Sequence, residues 1–84
     1  MNVLDIISQQ VESILKSTLL LGNDYVFESD TVLLGAFAEL DSMAIVAILS
    51  SIEESFGIQI HNDEISADVF ETFGSLVHFV NSKL

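Results

Sequence analysis

The chain has 84 residues, half of them hydrophobic, and its thirteen acidic residues against two lysines give a formal net charge of −11. This charge disfavours binding to nucleic acids and to anionic membrane surfaces, which both require clusters of lysine or arginine, and it favours basic partner surfaces. The absence of cysteine excludes disulfides and thiolate metal sites, so any thiol chemistry must come from a cofactor.

The length predicts one domain that covers residues 1–84. The first sixteen residues lack the basic start and uninterrupted apolar stretch of a secretory signal. The longest strongly apolar run, residues 43–49, is far shorter than the roughly 20 residues that span a bilayer. We therefore expect a cytoplasmic, soluble and monomeric protein without a membrane span.

A first amphipathic helix is predicted from about residue 2 to 19, because apolar residues recur there at intervals of three and four. Glu12 and Lys16 form a favourable i,i+4 pair on its polar side. Residues 20–41 have no steady period and predict a long loop held by its own apolar side chains, with a short helical turn near 31–37. The predicted apolar stripe of the first helix consists of Val3, Leu4, Ile7, Val11, Ile14, Leu15 and Thr18.

A second helix is predicted from about 42 to 56, with Gly57 as the left-handed residue that ends it. An extended link follows, with Ile58 and Ile60 turned inward. The exposed strip is predicted to contain Ala44, Ala47, Ser51 and Glu54. The predicted buried face consists of Ile45, Val46, Ile48, Leu49, Ile52 and Phe56.

The last part of the chain predicts a short helix within 62–70 and a final helix after it. Asn62 or Asp63 caps the short helix, and Thr72 is the expected N-cap of the final one. Lys83 lies where a cation complements the helix C-terminus. The fold class is thus all-α, with three main helices and one short helix. The short helix is anchored by Ile65, Val69 and Phe70, and the final helix by Phe73, Leu76, Val77 and Val80.

The pair Asp41-Ser42 stands directly before the second apolar run. Either side chain can accept a hydrogen bond from a free backbone amide, so a structural cap is one interpretation. A phosphoester on Ser42 is the other, because a helix N-terminus attracts negative charge and binds phosphate. Asp41 would then help a modifying enzyme to place a divalent cation. The residues alone leave both interpretations open.

The segment "DSM" followed by "AIVAILSSIEESFGIQI" resembles the D-S-L motif and second helix of the acyl carrier proteins. "ISADVFETFGSLVHFVNSKL" is similar to the third and fourth helices of that family, and the loop after the first helix also agrees. The resemblance covers nearly all of the chain and implies a small four-helix bundle of acyl-carrier type.

The resemblance implies that Ser42 carries 4′-phosphopantetheine within a motif completed by Asp41 and Met43. The implied partners are a phosphopantetheinyl transferase and an acyl-activating enzyme, ketosynthase or acyltransferase. The sequence does not identify the acyl cargo, which could be a fatty acid, a hydroxy acid, an amino acid or a polyketide. The expected partner-binding residues are Met43, Ala44, Ala47, Glu53 and Glu54, and the expected acyl-groove residues are Ile45, Val46, Leu49, Ile65 and Phe70.

Two departures from the family pattern suggest a specialised carrier. Glu39 stands where the family often has glycine, and Ala44 and Ala47 stand where fatty-acid carriers place acids. Docking should therefore depend more on apolar contacts near Ser42. The segment "LLGAFAELDSM" resembles carriers found with surface-polysaccharide or exosortase systems.

Three functions compete with that of a carrier. An enzyme is disfavoured because His61 is expected to be solvated and His78 partly buried, and neither stands in a recognisable nucleophile arrangement. An unmodified helical interaction protein, with Ser42 only a cap, is the main alternative. A dedicated calcium site is disfavoured by the spacing of the acidic residues, although weak binding of divalent cations stays open; these residues are Asp24, Glu28, Asp30, Asp63, Glu64 and Asp68.

Overall fold

The computed structural model describes residues 3–22, 24–38 and 40–84, and of Asn62 only the backbone. Within these residues the chain forms three α-helices: α1 (Val3–Leu19), α2 (Ser42–Phe56) and α3 (Phe73–Lys83). Two short 3₁₀ helices, Asn62–Glu64 and Ala67–Phe70, lie between α2 and α3. The predicted all-α class and helix order are confirmed.

The segment before α3 differs in detail from the prediction. One short helix was expected over 62–70, but Ile65 and Ser66 separate two 3₁₀ helices. Ser66 has extended backbone angles (φ −137°, ψ 168°), which interrupt a continuous helix. The predicted start of the first helix at residue 2 and the proposed cap by the Asn62 side chain lie outside the described residues.

Each α-helix contributes one apolar face to a single core. Ile7, Val11 and Leu15 of α1 pack with Ile48 and Ile52 of α2, and all five are almost completely buried. Leu19 of α1 and Leu49 of α2 also belong to the core. The remaining core residues come from the loop, from the second 3₁₀ helix and from α3: Phe27, Leu33, Leu40, Val69, Phe70, Phe73, Leu76, Val77 and Val80.

The buried faces of α1 and α2 are narrower than predicted. Val46 is 62% exposed rather than buried, and Val3 and Leu4 are exposed at the start of α1. Ile45 and Phe56 are only partly buried. The difference at Val46 arises because this flank of α2 borders an open groove instead of another helix.

The long loop between α1 and α2 is held by aromatic packing. The ring centroid of Phe27 lies 4.9 Å from that of Tyr25 and 5.2 Å from that of Phe73, and Phe37 lies 5.8 Å from Tyr25. Such ring pairs add to the free energy gained from burial. The prediction of a loop held by its own side chains agrees with this packing.

Backbone hydrogen bonds tie the same loop to the start of α3. Leu33 N–H donates to the Glu71 carbonyl at 3.0 Å, and Phe73 N–H donates to the Thr31 carbonyl at 2.9 Å. They flank an isolated antiparallel bridge between Val32 and Thr72. The helical turn expected near 31–37 is a single hydrogen-bonded turn, because these backbone groups are partly engaged with the α3 segment.

Both lysines form ion pairs. Lys16 Nζ lies 3.3 Å from Glu12 Oε1, as the i,i+4 spacing predicted. Lys83 donates a hydrogen bond to Glu64, so it joins the C-terminal turn of α3 to the first 3₁₀ helix. No helix in the described part of the chain has the length and apolar character to cross a membrane.

Candidate functional site

Asp41 is the N-cap of α2. Its Oδ1 accepts a hydrogen bond from the Ala44 backbone N–H at 2.9 Å, and its own carbonyl accepts from the Ile45 N–H at 2.9 Å. These contacts satisfy one of the free amides at the helix start and begin the regular hydrogen-bond pattern. Of the two capping candidates in the sequence, the structure therefore assigns the cap to the aspartate.

Ser42 is the first residue of α2 and is exposed. Its hydroxyl makes no hydrogen bond to any other residue that the structure describes. The first turn contains no acidic residue. Apart from the Asp41 cap, no carboxylate competes for the free amides and positive dipole end of α2 within this turn, and such a helix start favours a phosphate.

The loop positions the Asp41-Ser42 pair. Leu40, directly before it, is only 7% exposed and donates its N–H to the Phe37 carbonyl at 3.1 Å. Phe37 in turn packs in the aromatic cluster with Tyr25 and Phe27. The hydrophobic residues of the long loop thus fix the backbone that presents the serine. Glu39, where the sequence departs from the family pattern, lies outside the described residues.

A groove of about 390 Å³ begins at Ser42 and follows α2. Ile45, Val46 and Leu49 form one wall, and Ile65 lies on the other, so four of the five predicted acyl-groove residues line one cavity. The fifth, Phe70, lines an adjoining cavity of about 310 Å³ that shares Ile45 and Ile65 with the groove. We call these the α2 groove and the adjoining cavity; the α2 groove is lined by Ser42, Ile45, Val46, Leu49, Ser50, Glu53, Ile60 and Ile65.

Sequence reasoning did not select Ser50 as a groove residue. It lies four residues after Val46 and three before Glu53, which places all three on neighbouring positions of one helix flank. This spacing is the signal in the sequence from which Ser50 could have been predicted as a groove residue. The predicted inward turn of Ile60 agrees with its position in the groove wall.

The expected partner-binding residues fall into two groups. Met43 is 82% exposed, Ala47 is exposed and Ala44 is half-buried, and all three lie within about two turns of Ser42. Glu54 is exposed near the C-terminal end of α2.

Glu53 differs from the other expected partner-binding residues because its carboxylate is already engaged. Its Oε2 accepts a hydrogen bond from the Ile60 backbone N–H at 2.8 Å. Its carbonyl also accepts from the Ile58 N–H at 3.2 Å. Glu53 therefore supports the groove wall by fixing the segment after α2, and this role limits its availability to a partner.

The residues behind the rival functions do not assemble into a site. His61 and His78 are both exposed, which makes the expectation of a partly buried His78 wrong, and neither lines the α2 groove. Within the described residues, no group of three or more histidines or acids is placed to hold a metal ion.

The chain is similar to a solved structure, the solution NMR structure of a holo acyl carrier protein from Nitrosomonas europaea. The two are 42% identical and superpose with a TM-score of 0.79, over 99% of this chain and 96% of that one. No protein-family model and no curated protein matches the chain. The identity over almost the full length of both chains shows that this protein belongs to the acyl carrier protein family, and it is a carrier rather than an enzyme.

Proposed function

We propose that Ser42 is the attachment site of 4′-phosphopantetheine and that the chain carries acyl groups as thioesters on this arm. The observation that carries the proposal is the separation of roles at the start of α2, where Asp41 caps the helix and the Ser42 hydroxyl stays exposed. The similar carrier is a holo protein, which supports the assignment. The group supplies a thiol, which the chain lacks, on a long flexible arm.

Ser42 is the nucleophile in the attachment step. Its hydroxyl oxygen attacks the phosphorus of coenzyme A that bears the pantetheine, an O–P bond forms, the pyrophosphate bond breaks, and the adenine nucleotide leaves. The hydroxyl proton passes to a base of the transferase. Asp41 Oδ1 accepts the Ala44 N–H and its second oxygen has no such contact, so this carboxylate would be able to help the transferase to hold a magnesium ion. The amides of α2 then stabilise the phosphodiester.

The α2 groove is the proposed site for the bound acyl chain. Ile45, Val46, Leu49 and Ile65 offer an apolar surface that begins at Ser42. Phe70 extends that surface in the adjoining cavity, which a longer chain reaches between Ile45 and Ile65. Burial of a chain here is favoured by roughly 0.8 kcal/mol for each methylene removed from water.

Partner enzymes are proposed to dock on the exposed side of α2 beside Ser42. Met43 and Val46 provide apolar contact area, while Ala44 and Ala47 leave room for a close approach. Met43 is a flexible contact that adapts to several partners. The expected partners are a phosphopantetheinyl transferase and an acyl-activating enzyme, ketosynthase or acyltransferase, with Glu54 as an acidic contact and Glu53 mainly supporting the groove.

The pathway is proposed to be a specialised branch of lipid, polyketide or surface-polysaccharide biosynthesis. The neutral Ala44 and Ala47 near Ser42 support this proposal, because they offer no negative charge to the basic surface of an enzyme that recognises fatty-acid carriers. The chain is expected to act as a monomer in the cytoplasm, as one domain over residues 1–84.

Intact mass spectrometry after incubation with coenzyme A, magnesium and a phosphopantetheinyl transferase tests the attachment. We expect the wild type to gain one phosphopantetheine and Ser42→Ala to gain none. Ser50→Ala is the matched control, since Ser50 is an exposed serine of the same helix and groove, and it should be modified like the wild type. Failure of several transferases to modify the wild type would support the alternative, an unmodified interaction protein.

A further inference from the structure

The α2 groove has two ends of different chemistry. On one side it continues into the mainly apolar adjoining cavity, because Ile45 and Ile65 line both spaces. Along α2, the lining residues farthest from Ser42 are Ser50 and Glu53, which we call the polar end of the groove. The groove thus offers one apolar and one polar direction to a group that enters beside Ser42.

The Glu53 carboxylate is held in place and still has one oxygen to offer. Its Oε2 accepts the Ile60 N–H at 2.8 Å, and this hydrogen bond fixes the side chain against the segment after α2. Neither its Oε1 nor the Ser50 hydroxyl forms a hydrogen bond to another described residue. Both oxygens accept hydrogen bonds, and a fixed acceptor binds a donor at a lower entropic cost than a mobile one does.

A plain alkyl chain is poorly matched to the polar end. Its methylenes would remove water from the Glu53 carboxylate and the Ser50 hydroxyl without replacing the lost hydrogen bonds, which is unfavourable. The described lining residues of the adjoining cavity are uncharged, so an alkyl chain is better placed there. The polar end therefore selects a cargo that carries a hydrogen-bond donor.

We propose that the carried acyl group is an amino-acyl group whose ammonium binds Glu53 and Ser50 at the polar end. The inference rests on the proposed attachment at Ser42 and names the class of cargo. An ammonium has three donors, and its hydrogen bonds to a carboxylate are stronger than those of a neutral hydroxyl. The net charge of −11 further attracts a cationic group.

The polar end lies within reach of an arm attached to Ser42. Glu53 follows Ser42 by eleven residues along α2, which corresponds to about 16.5 Å at 1.5 Å per residue. The phosphopantetheine arm has as many chain bonds as four to five extended residues, or about 15 Å. A short amino-acyl group at its end spans the remaining distance.

Cargo analogues attached without a transferase test the proposal. Because the chain has no cysteine, Ser42→Cys supplies a single thiol for alkylation. Three bromoacetamide arms, each as long as phosphopantetheine with a short acyl group, end in an ammonium, a hydroxyl or a methyl group. In ¹⁵N-labelled protein we expect the ammonium arm to shift the amides of residues 50–54 and 58–61. The hydroxyl arm should shift them less, and the methyl arm should instead shift residues 65–70.

Equal responses to the ammonium and hydroxyl arms, or no response of residues 50–54 and 58–61 to the ammonium arm, would overturn the proposal. The arms are attached chemically, so this result is separate from any failure of phosphopantetheine attachment by a transferase.

Two variants locate the contact. Glu53→Gln keeps an oxygen for the Ile60 N–H but removes the charge, and it should reduce the ammonium-arm shifts about threefold, the scale of an exposed ion pair. Glu54→Gln is the matched control, since Glu54 does not line the α2 groove, and it should leave the shifts unchanged. An unchanged response to the methyl arm shows that Glu53→Gln leaves the groove intact. If Glu53→Gln and Glu54→Gln reduce the shifts equally, the attraction is that of the overall charge and the proposal fails.

Discussion

The starts of α2 and α3 use similar residues for opposite purposes. Each begins with a polar cap and has a serine within its first turn. At α3 the Thr72 Oγ1 accepts from the Ser75 N–H at 3.1 Å, and the Ser75 Oγ accepts from the Thr72 N–H at 3.0 Å. At α2 the cap is Asp41 alone, and the Ser42 hydroxyl has no hydrogen-bond partner among the described residues.

The difference shows how a serine that caps a helix can be distinguished from a serine whose hydroxyl is available for chemical modification. Ser75 accepts one hydrogen bond and directs its proton to the carbonyl of Val69 or Thr72, so its hydroxyl is engaged both as donor and as acceptor. Ser42 is exposed, and Asp41 supplies the cap beside it. A helix-start serine is therefore a candidate for modification when another residue supplies the cap.

The largest expected effect is at Gly74, where α3 packs closely against the loop. A Cβ atom there would lie 2.6 Å from the Ser29 carbonyl oxygen, which already accepts the Gly74 N–H at 2.8 Å. Gly74→Ala should therefore lower the free energy of unfolding by about 2 kcal/mol, although glycine to alanine normally stabilises a helix. Urea denaturation measures the change. An increase in stability would show that α3 is not held against the loop in this way.

A smaller contrast is expected between the serines. Ser75→Ala removes half of the capping box and should cost about 1 kcal/mol. Ser42→Ala should change the free energy of unfolding by less than about 0.5 kcal/mol, since no contact is lost. Asp41→Ala, which removes the α2 cap, should resemble Ser75→Ala. Thermal or urea unfolding of the three variants decides the comparison, and a large cost at Ser42 would contradict the division of roles.

The sequence could predict the helices because periodicity and caps are local properties. Residues 42–56 form α2 within the predicted bounds, and Thr72 caps α3 as expected. It could not decide between Asp41 and Ser42 as the cap, because both side chains can accept the same hydrogen bond. The choice depends on backbone geometry fixed by distant residues such as Leu40 and Phe37.

At the site, the sequence predicts least well the properties of a residue that depend on which other segment of the chain packs against it. Val46 has the spacing of a buried residue, but it faces the α2 groove and stays exposed. The sequence predicts Glu53 as a partner contact, which stays a prediction, but it gives no sign that one carboxylate oxygen accepts the Ile60 amide seven residues later. Both outcomes require the path of the chain after α2, which the pattern of a single helix does not contain.

The smallest expected effect concerns the C-terminal end of α3. The last turn of α3 contains Lys83, whereas the last turn of α2 contains no basic residue. The pKa of the Glu64 carboxyl lies below its ordinary value, first because Lys83 donates a hydrogen bond to it and then because the His61 backbone N–H does so at 2.8 Å. A lowered pKa in the folded state stabilises the protein above the ordinary pKa of the carboxyl. This contribution is lost as the pH falls through the lowered value.

Glu64→Gln should therefore flatten the loss of stability on the acid side, and Lys83→Met should do the same by removing the main donor. Glu71→Gln is the control, since this exposed acid makes no side-chain hydrogen bond to a described residue. Urea unfolding between neutral pH and about pH 3, a range that includes the ordinary pKa of glutamate, measures the difference. If Glu64→Gln and Glu71→Gln have the same pH profile, the pair does not anchor α3, and the contrast between the two helices is confined to their starts.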